Sequence, residues 1–210
     1  VNQNNNLFYF EKKTGEILKS IPTEETILKN NFINNLSIHK KNTFFLNTYG
    51  SLYSISNDSL RINWFVNLND SIILSSDNLF QGNQIISDRN KIVVSSNNNT
   101  YVIDANSGLI LSKKKFSSKI KPLIINDHFF TITKNNLLVS MEVSTGKIIY
   151  SYNINEKIAK FLNSKKKNAP IQNLMMADDR LIIFLNNSYY VKTNIYGEII
   201  EIKKLPSVLN

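Results

Sequence analysis

Short runs of aliphatic and aromatic residues alternate with polar turns along most of the chain. In residues 97–112, asparagines precede the run 101–103, and Ser107 and Gly108 then separate it from the aliphatic run 109–111. β-Branched and aromatic residues favour strands, and glycine adopts the left-handed conformation of a tight turn without steric strain. The pattern therefore predicts a β-hairpin whose reversal lies at Gly108.

The same hairpin pattern recurs along the chain at intervals of 45, 48, 38 and 51 residues. The positions that occupy the glycine slot are Gly15, Leu60, Gly108, Gly146 and Gly197. Each interval has room for four short strands joined by turns, as in a propeller blade. In the interval that contains Gly146, the predicted strands are 121–126, 128–133, 137–142 and 147–152. Repetition of such a unit predicts a β-propeller.

Helical periodicity is confined to one stretch, residues 155–163. There Ile158, Phe161 and Leu162 follow the spacing i, i+3 and i+4, which is typical of one face of a helix. The stretch predicts a short helix within a connection between two blades. The rest of the pattern indicates strands and turns, so we expect an all-β fold.

The predicted boundaries describe an arc of a larger propeller. A third strand, 7–10, comes first in the chain, and a fourth strand, 198–203, comes last. We therefore expect residues 1–210 to form a partial β-propeller with four antiparallel four-stranded blades plus a half blade. The half blade is 1–20, and the blades are about 32–66, 84–113, 120–152 and 170–204. Complete propellers close with about four to eight blades.

Several copies of the unit share a motif around their turns. The motif residues are Gly50, Leu52, Tyr53, Ile55 and Trp64 in one copy, Tyr101, Ile103, Asp104, Ala105, Ser107 and Gly108 in the next, Thr145, Gly146 and Lys147 in a third, and Thr14, Gly15 and Glu16 in the first. These residues resemble the PQQ-like β-propeller repeat over nearly the whole chain. Within this family, the chain is most like the BamB-type outer-membrane protein assembly lipoproteins.

The resemblance also implies a role for two aromatic residues. In this repeat family the aromatic residue at the end of the fourth strand docks between neighbouring blades, and the corresponding positions here are Trp64 and Tyr150. Burial of a large aromatic side chain there would stabilise the contact between blades. We interpret both residues as packing residues and not as recognition residues.

The charge of the chain is strongly basic, with a formal net charge of +9. Lysines are scattered or lie in the short runs 40–41, 113–115 and 165–167, without the arginine-rich or aromatic motifs of nucleic-acid readers. Such a balance affects solubility and non-specific binding. We therefore interpret it as a solvated surface and expect no specific nucleic-acid partner.

Composition narrows the class of protein further. A hydrophobic content of 42% in 210 residues is enough for a substantial core, and no apolar run is long enough to span a bilayer. The absence of cysteine excludes disulfides and thiolate chemistry in this sequence. The sequence begins with Val1, so we expect membrane association only through an N-terminal anchor outside it.

No catalytic, cofactor-binding or metal-binding residues are predicted. His39 and His128 lack the cysteine partners and the HExxH spacing of a zinc site, and Asp178 and Asp179 are interpreted as a turn. Quinoprotein dehydrogenases, which share the repeat, hold pyrroloquinoline quinone and calcium, commonly with adjacent cysteines and a tryptophan in most blades. With no cysteine and one tryptophan, the chain departs from that pattern. We therefore expect no cofactor and no enzymatic activity.

Long connections between predicted strands suggest where a partner would bind. The connections 21–34, 67–83 and 153–170 are longer than the turns of the Thr-Gly type, and the strand order predicts that they emerge on one face. Insertions on one face often mark the binding face of a repeat protein. The residues that we expect to contact a partner are Phe161, Leu162, Lys165, Lys166 and Lys167. A tethered polar loop is the alternative.

The sequence thus leads to one functional hypothesis and two alternatives. The resemblance implies a non-catalytic scaffold on the periplasmic side of the outer membrane, in the bacterial cell envelope, with the outer-membrane barrel-assembly machinery as its protein partner. One alternative is a fragment of a PQQ-dependent quinoprotein oxidoreductase whose catalytic blades lie outside this sequence. The other is a lumenal sensor propeller. A bound quinone with calcium would favour the enzyme, whereas binding to a barrel-assembly partner would favour the scaffold.

Overall fold

The computed structural model describes residues 1–2, 4–24, 35–69, 80, 82, 84–96, 98–165 and 168–205. Within these ranges the chain forms eighteen strands and one helix. The chain divides into two compact units, unit 1 (residues 1–115) and unit 2 (residues 116–210). The helix lacks the length and the apolar character that crossing a membrane would require.

The strands follow one another in short intervals. In unit 1 they are β1 (Leu7–Phe10), β2 (Ile17–Ile21), β3 (Asn35–His39), β4 (Asn42–Leu46), β5 (Ser51–Ser56), β6 (Ile62–Asn67), β7 (Ile86–Asp88), β8 (Lys91–Ser95), β9 (Thr100–Asp104) and β10 (Ile110–Lys114). In unit 2 the elements are β11 (Leu123–Ile125), β12 (His128–Ile132), β13 (Leu137–Glu142), β14 (Ile148–Asn153), α1 (Ile154–Phe161), β15 (Ile171–Ala177), β16 (Arg180–Leu185), β17 (Tyr189–Thr193) and β18 (Ile199–Lys204).

These strands form one two-stranded sheet and four four-stranded sheets. The two-stranded sheet is β1-β2, and the others are β3-β4-β5-β6, β7-β8-β9-β10, β11-β12-β13-β14 and β15-β16-β17-β18. Within each sheet the strands are antiparallel and follow the order of the chain. Each four-stranded sheet is therefore a meander with the strand order of a propeller blade.

The structure confirms the predicted all-β class and the four-stranded antiparallel sheets. It also confirms the predicted helix, although α1 begins at Ile154, one residue before the predicted stretch. Strand β11 is shorter than the predicted strand 121–126. Pro122 precedes it, and proline has no amide hydrogen to donate to a strand ladder, so the pairing begins after the proline.

The core of unit 1 lies on both sides of the sheet β3–β6. Phe44 belongs to a buried cluster shared with Ile92 and Ile103 of the sheet β7–β10. Phe45, the next residue of β4, belongs instead to a cluster shared with Leu7 of β1. Because successive side chains of a strand point to opposite faces, a sheet that is covered on both sides requires continuous apolar runs.

The core of unit 2 joins its two sheets and the helix. Phe130 and Leu138 of the sheet β11–β14 pack in one cluster with Leu181 of β16. Ile154 and Ile158 of α1 are buried in the same cluster. The helix is therefore an integral part of the packing of unit 2, although most of its other residues are polar.

A residue in the left-handed conformation lies in each turn between third and fourth strands. The φ angles are +75° at Gly15, +53° at Leu60, +76° at Gly108, +68° at Gly146 and +81° at Gly197. Each hairpin also has a shift of register beside its turn. The backbone of Leu60 thus takes the conformation that glycine takes in the other four turns, without the conformational freedom of glycine.

The first turn of α1 is capped by the preceding asparagine. The side-chain oxygen of Asn153 accepts hydrogen bonds from the amides of Asn155 and Glu156, at 3.0 and 3.3 Å. Glu156 lies in the first turn and Lys160 in the last, where their charges complement the helix dipole. These local features, together with burial of Ile154 and Ile158, explain why a helix forms between two strands.

Candidate protein-binding surfaces

Trp64 connects the outer strand of one sheet to a turn of the next sheet in unit 1. Its indole Nε1 donates a hydrogen bond to the carbonyl oxygen of Ala105, at 3.1 Å. The ring also lies against Gly108, where an added β-carbon would be 2.7 Å from Cε3 of the indole. Trp64 therefore contacts the turn between β9 and β10 through both a hydrogen bond and a van der Waals surface.

Two tyrosines make the corresponding contact in unit 2. The hydroxyl of Tyr150 donates to the carbonyl oxygen of Ile195 at 3.1 Å, and the hydroxyl of Tyr152 donates to that of Gly197. The two rings are stacked, with centroids 5.7 Å apart. Burial raises the pKa of Tyr150 to about 12, so its phenol remains a neutral donor at ordinary pH. The assignment of Trp64 and Tyr150 to packing stays a prediction.

The connection that contains α1 presents part of the predicted partner surface. Phe161 and Leu162, at the end of the helix, are 48% and 52% exposed. Lys165 follows them and is also exposed. We refer to these three residues as the α1 patch. The other two residues of the prediction, Lys166 and Lys167, lie outside the described residues, as do residues 25–34 and 70–79 of the other long connections.

Lys157 fixes the orientation of α1 within unit 2. Its ammonium nitrogen lies 3.8 Å from the centroid of the Tyr152 ring and donates a hydrogen bond to the carbonyl oxygen of Gly197 at 3.2 Å. The helix connection and the turn between β17 and β18 are therefore in contact, whereas the strand order predicts that they emerge on opposite faces. The contact is made by a long lysine side chain, so the faces on which the connections emerge stay a prediction.

A cleft of about 630 Å³ opens in unit 2 among three turns, those between β11 and β12, β15 and β16, and β17 and β18. We refer to it as the turn cleft. Its apolar lining includes Phe130 and Met176, and its polar lining includes Asp178 and Asp179. Tyr196 also lines the cleft and is 71% exposed. The turn cleft thus combines apolar surface with ionised side chains.

The backbone of two turns explains how these side chains reach the cleft. Asn126 and Asp127 have φ angles of +48° and +68°, and Asp178 and Asp179 have φ angles of +49° and +55°. Positive φ at both central residues is typical of a type I′ hairpin turn, in which Asn and Asp are favoured. The interpretation of Asp178 and Asp179 as a turn is therefore confirmed. No local sequence pattern marks the cleft itself, since its lining comes from three separate turns.

A polar cluster around Glu24 lies in unit 1. The carboxylate of Glu24 accepts hydrogen bonds from the hydroxyl of Tyr53 at 2.6 Å, the hydroxyl of Ser51 at 2.7 Å and the amide of Asn47 at 2.5 Å. Partial burial alone would raise the pKa of Glu24, but these donors together hold it below its usual value. Burial, together with the adjacent carboxylate, raises the pKa of Tyr53. We interpret the cluster as a structural contact, because both carboxylate oxygens already have donors.

Among the described residues, no three histidine, aspartate or glutamate side chains come together in a group that could hold a metal ion. His39 ends β3, and His128 begins β12, where its Nδ1 lies 3.0 Å from the carbonyl oxygen of Asn126. Neither histidine therefore belongs to such a group in the described part of the chain.

Comparison with known proteins identifies the fold but not a family. No protein-family model matches the chain, and no curated protein matches it. BamB from Moraxella catarrhalis has a similar structure, with a TM-score of 0.56 and 9% identity over 96% of this chain and 71% of BamB. A quinohemoprotein alcohol dehydrogenase from Pseudomonas putida is also similar, with a TM-score of 0.60 and 11% identity over 80% of this chain and 33% of the enzyme.

A third similar structure is a chain of the mitotic checkpoint complex, with a TM-score of 0.66 and 9% identity over 98% of this chain and 60% of that one. At such low identities, these similarities establish the fold class alone. The chain has a β-propeller fold of the kind found in BamB and in the quinoprotein dehydrogenases. It spans between a third and about seven-tenths of the three proteins compared.

Proposed function

We propose that the chain is part of a non-catalytic propeller scaffold that binds another protein. The observation that carries this proposal is the α1 patch, in which Phe161 and Leu162 expose about half of their side chains at the end of an ordered helix. Large apolar side chains at the centre of an interface supply much of its binding energy, and lysines at its rim provide charge complementarity.

The helix that carries the patch is held in place before any partner binds. Ile154 and Ile158 are buried in the core of unit 2, Asn153 caps the first turn, and Lys157 contacts Tyr152 and Gly197. A surface that is already ordered loses less conformational entropy on association than a disordered loop. Preorganisation therefore supports a docking role for this connection over that of a tethered polar loop.

We further propose that the partner belongs to the outer-membrane barrel-assembly machinery, and that the protein acts on the periplasmic side of the outer membrane. The similarity of fold to BamB, over 96% of this chain, supports this choice. The basic charge of the chain is compatible with an acidic partner surface. The activity and the partners of the whole protein are likewise proposed here, together with those of this chain.

Site-specific crosslinking in the full-length protein tests the scaffold proposal. A photoreactive benzoylphenylalanine replaces Phe161, and in a separate variant it replaces Ile200, a residue of β18 with 45% exposure. We expect illumination of cells to crosslink the Phe161 variant to a subunit of the barrel-assembly machinery, while the Ile200 variant shows only background. Absence of that adduct, or equal adducts from both positions, would contradict the proposal.

The affinity of the purified complex provides a second measure. Replacing both Phe161 and Leu162 by alanine should weaken partner binding at least about tenfold, because each truncation removes an apolar contact. The matched variant Ile200→Ala should bind like the unchanged protein.

The principal alternative, a quinoprotein oxidoreductase, is supported only at the level of fold by its dehydrogenase neighbours. Absorbance and calcium analysis of the full-length protein from its native host distinguishes the two classes. A stoichiometric quinone chromophore with calcium would contradict the scaffold proposal and favour the enzyme.

A further inference from the structure

The turn cleft and the α1 patch have no residue in common, and the cleft offers a different chemistry. The cleft is lined by two carboxylates, those of Asp178 and Asp179, against one guanidinium, that of Arg180. The formal net charge of the lining is therefore negative, opposite in sign to the net charge of +9 of the whole chain. A local reversal of charge inside a concave surface attracts cations to that surface and lowers the attraction for anions.

The two carboxylates are available to a ligand. Among the described residues, neither Asp178 nor Asp179 has a hydrogen bond or an ion pair, and Arg180 does not pair with either of them. Their turn is tightly defined, because both residues have positive φ. An ordered pair of free carboxylates in a cleft can accept a bidentate guanidinium or an ammonium group.

Aromatic and apolar side chains complete the cleft. The ring of Tyr196 lines it and is largely exposed, and His128 also lines it, with its ring stacked 6.1 Å from that of Phe130. An exposed tyrosine face attracts cations through its quadrupole. Met176, another lining residue, adds a flexible apolar surface that suits side chains of varied shape.

We propose that the turn cleft binds an extended protein segment in which an arginine or lysine is flanked by apolar side chains. The cation would lie between the two carboxylates and the Tyr196 ring, and the apolar neighbours would cover Met176 and Ile195, two lining residues of which Ile195 is exposed. A volume of about 630 Å³ is within the range of pockets that enclose several side chains or a small ligand. This inference goes beyond the scaffold proposal, since it adds a second site with a defined ligand.

The test uses the whole 210-residue chain and the capped, fluorescein-labelled peptide Ser-Leu-Ser-Arg-Ser-Leu-Ser. In an extended peptide, alternate side chains share a face, so the arginine and both leucines point the same way. A second peptide carries citrulline, which is neutral and nearly isosteric, in place of arginine. Fluorescence anisotropy measures both affinities, and unlabelled N-acetylarginine amide competes as a cation without flanking leucines.

We expect the arginine peptide to bind at least about fivefold more tightly than the citrulline peptide, because it can form two partly exposed ion pairs. The variant Asp178→Asn/Asp179→Asn should lose that preference. N-acetylarginine amide should bind at least about tenfold more weakly than the peptide, because it lacks the apolar contacts. Equal affinity for the two peptides, or no binding of the arginine peptide at about 1 mM, would overturn the inference.

Two controls separate ligand recognition from effects on folding. Asp127→Asn makes the same chemical change in the other type I′ turn, outside the lining of the cleft, and should leave peptide binding unchanged. Asparagine tolerates positive φ, so neither aspartate variant should lower thermal stability appreciably.

If the double variant fails to fold, Tyr196→Ser tests the ring contact instead, and unchanged binding in that variant would count against the proposal. Peptide binding that persists in the Phe161→Ala/Leu162→Ala variant would show that the two sites are independent.

Discussion

Trp64 covers Gly108 so closely that a β-carbon added to Gly108 would lie 2.7 Å from the indole ring. The same relationship occurs in unit 2, where a β-carbon on Gly197 would lie 2.7 Å from the hydroxyl oxygen of Tyr152 and 2.9 Å from Cε2 of Tyr150. In both units, an aromatic residue of an outer strand contacts the glycine turn of the following sheet. The glycine is therefore required for two reasons, its positive φ and the space that the ring occupies.

Substitution of two glycines by alanine should separate these two requirements. A β-carbon at Gly15 would meet no atom within 4 Å, whereas one at Gly108 would overlap Trp64. We expect Gly15→Ala to lower the free energy of unfolding by about 1 kcal/mol through its positive φ alone. Gly108→Ala should lower it by about 3 kcal/mol, because overpacking against Trp64 adds to the same strain.

The midpoint of urea unfolding for the two glycine variants and the unchanged chain checks this prediction. Combining Gly108→Ala with Trp64→Ala serves as a control, since removal of the ring should abolish the additional loss from the new methyl group. Equal losses at Gly15 and Gly108 would show that the contact with Trp64 does not restrict the turn.

Leu60 offers a substitution that should stabilise the protein. Its φ of +53° places a branched side chain in the left-handed region, which is unfavourable by about 1–2 kcal/mol for a residue with a β-carbon. Leu60→Gly removes this strain but adds conformational entropy to the unfolded chain, so the expected net gain is about 0.5 kcal/mol. Leu109→Gly, an exposed leucine beside a turn, is the matched control and should destabilise. Calorimetry of both variants measures the difference, and a lower melting temperature for Leu60→Gly would contradict the prediction.

The contact between Lys157 and the turn at Gly197 should contribute to the stability of unit 2. Lys157→Met retains the apolar stem but removes both the hydrogen bond to Gly197 and the cation–π contact with Tyr152. We expect a loss of about 1 kcal/mol in the free energy of unfolding. Lys160→Met, on the same helix, should change stability by less than about 0.5 kcal/mol. Equal effects of the two substitutions would mean that the Lys157 contact contributes little.

Glu24 should make the stability of unit 1 depend on pH. Its pKa in the folded protein is below the usual value of 4.5, so the ionised carboxylate stabilises the fold above that pH, and the stabilisation is lost as pH falls through the folded-state pKa. The melting temperature of the unchanged chain should therefore exceed that of Glu24→Gln by a constant amount near neutral pH. This difference should shrink as the pH falls below about 4.5.

Tyr53→Phe provides the companion variant for Glu24. It removes the donor of the 2.6 Å hydrogen bond, and should reduce both the stability at neutral pH and the pH dependence. A difference between the unchanged chain and Glu24→Gln that grows on acidification would show that the folded-state pKa is raised and not lowered.

Local patterns were sufficient to predict most of the strands and the helix. Strands β12 and β13 follow directly from apolar runs bounded by Asp127 and by the turn 134–136, since antiparallel neighbours pair through short turns. Helix α1 follows from its apolar spacing and is capped by Asn153. The predicted strand 121–126 is longer than β11, because the apolar pattern does not show that Pro122 lacks an amide hydrogen for the strand ladder.

The candidate sites were less accessible to sequence reasoning. Phe161 and Leu162 could be proposed from their position in a long connection, but the contact of Lys157 with Gly197 spans 40 residues and has no local signal. Asp178 and Asp179 were identified as a turn, yet the cleft that they line together with Tyr196 depends on the packing of unit 2. Two donors to Glu24, Ser51 and Tyr53, likewise come from β5, 27 and 29 residues further along the chain.

The sequence alone determined the β-propeller class, the repeating four-stranded unit and the glycine turns, because each arises from hydrogen bonds and side-chain alternation within a few tens of residues. Only the tertiary structure decided that Trp64 rests on Gly108, that Lys157 reaches Gly197 and that Asp178 and Asp179 line the same cleft as Tyr196. These contacts depend on the twist of each sheet and on its distance from the next, which are set by the packing of whole side chains and leave no periodic trace in the sequence.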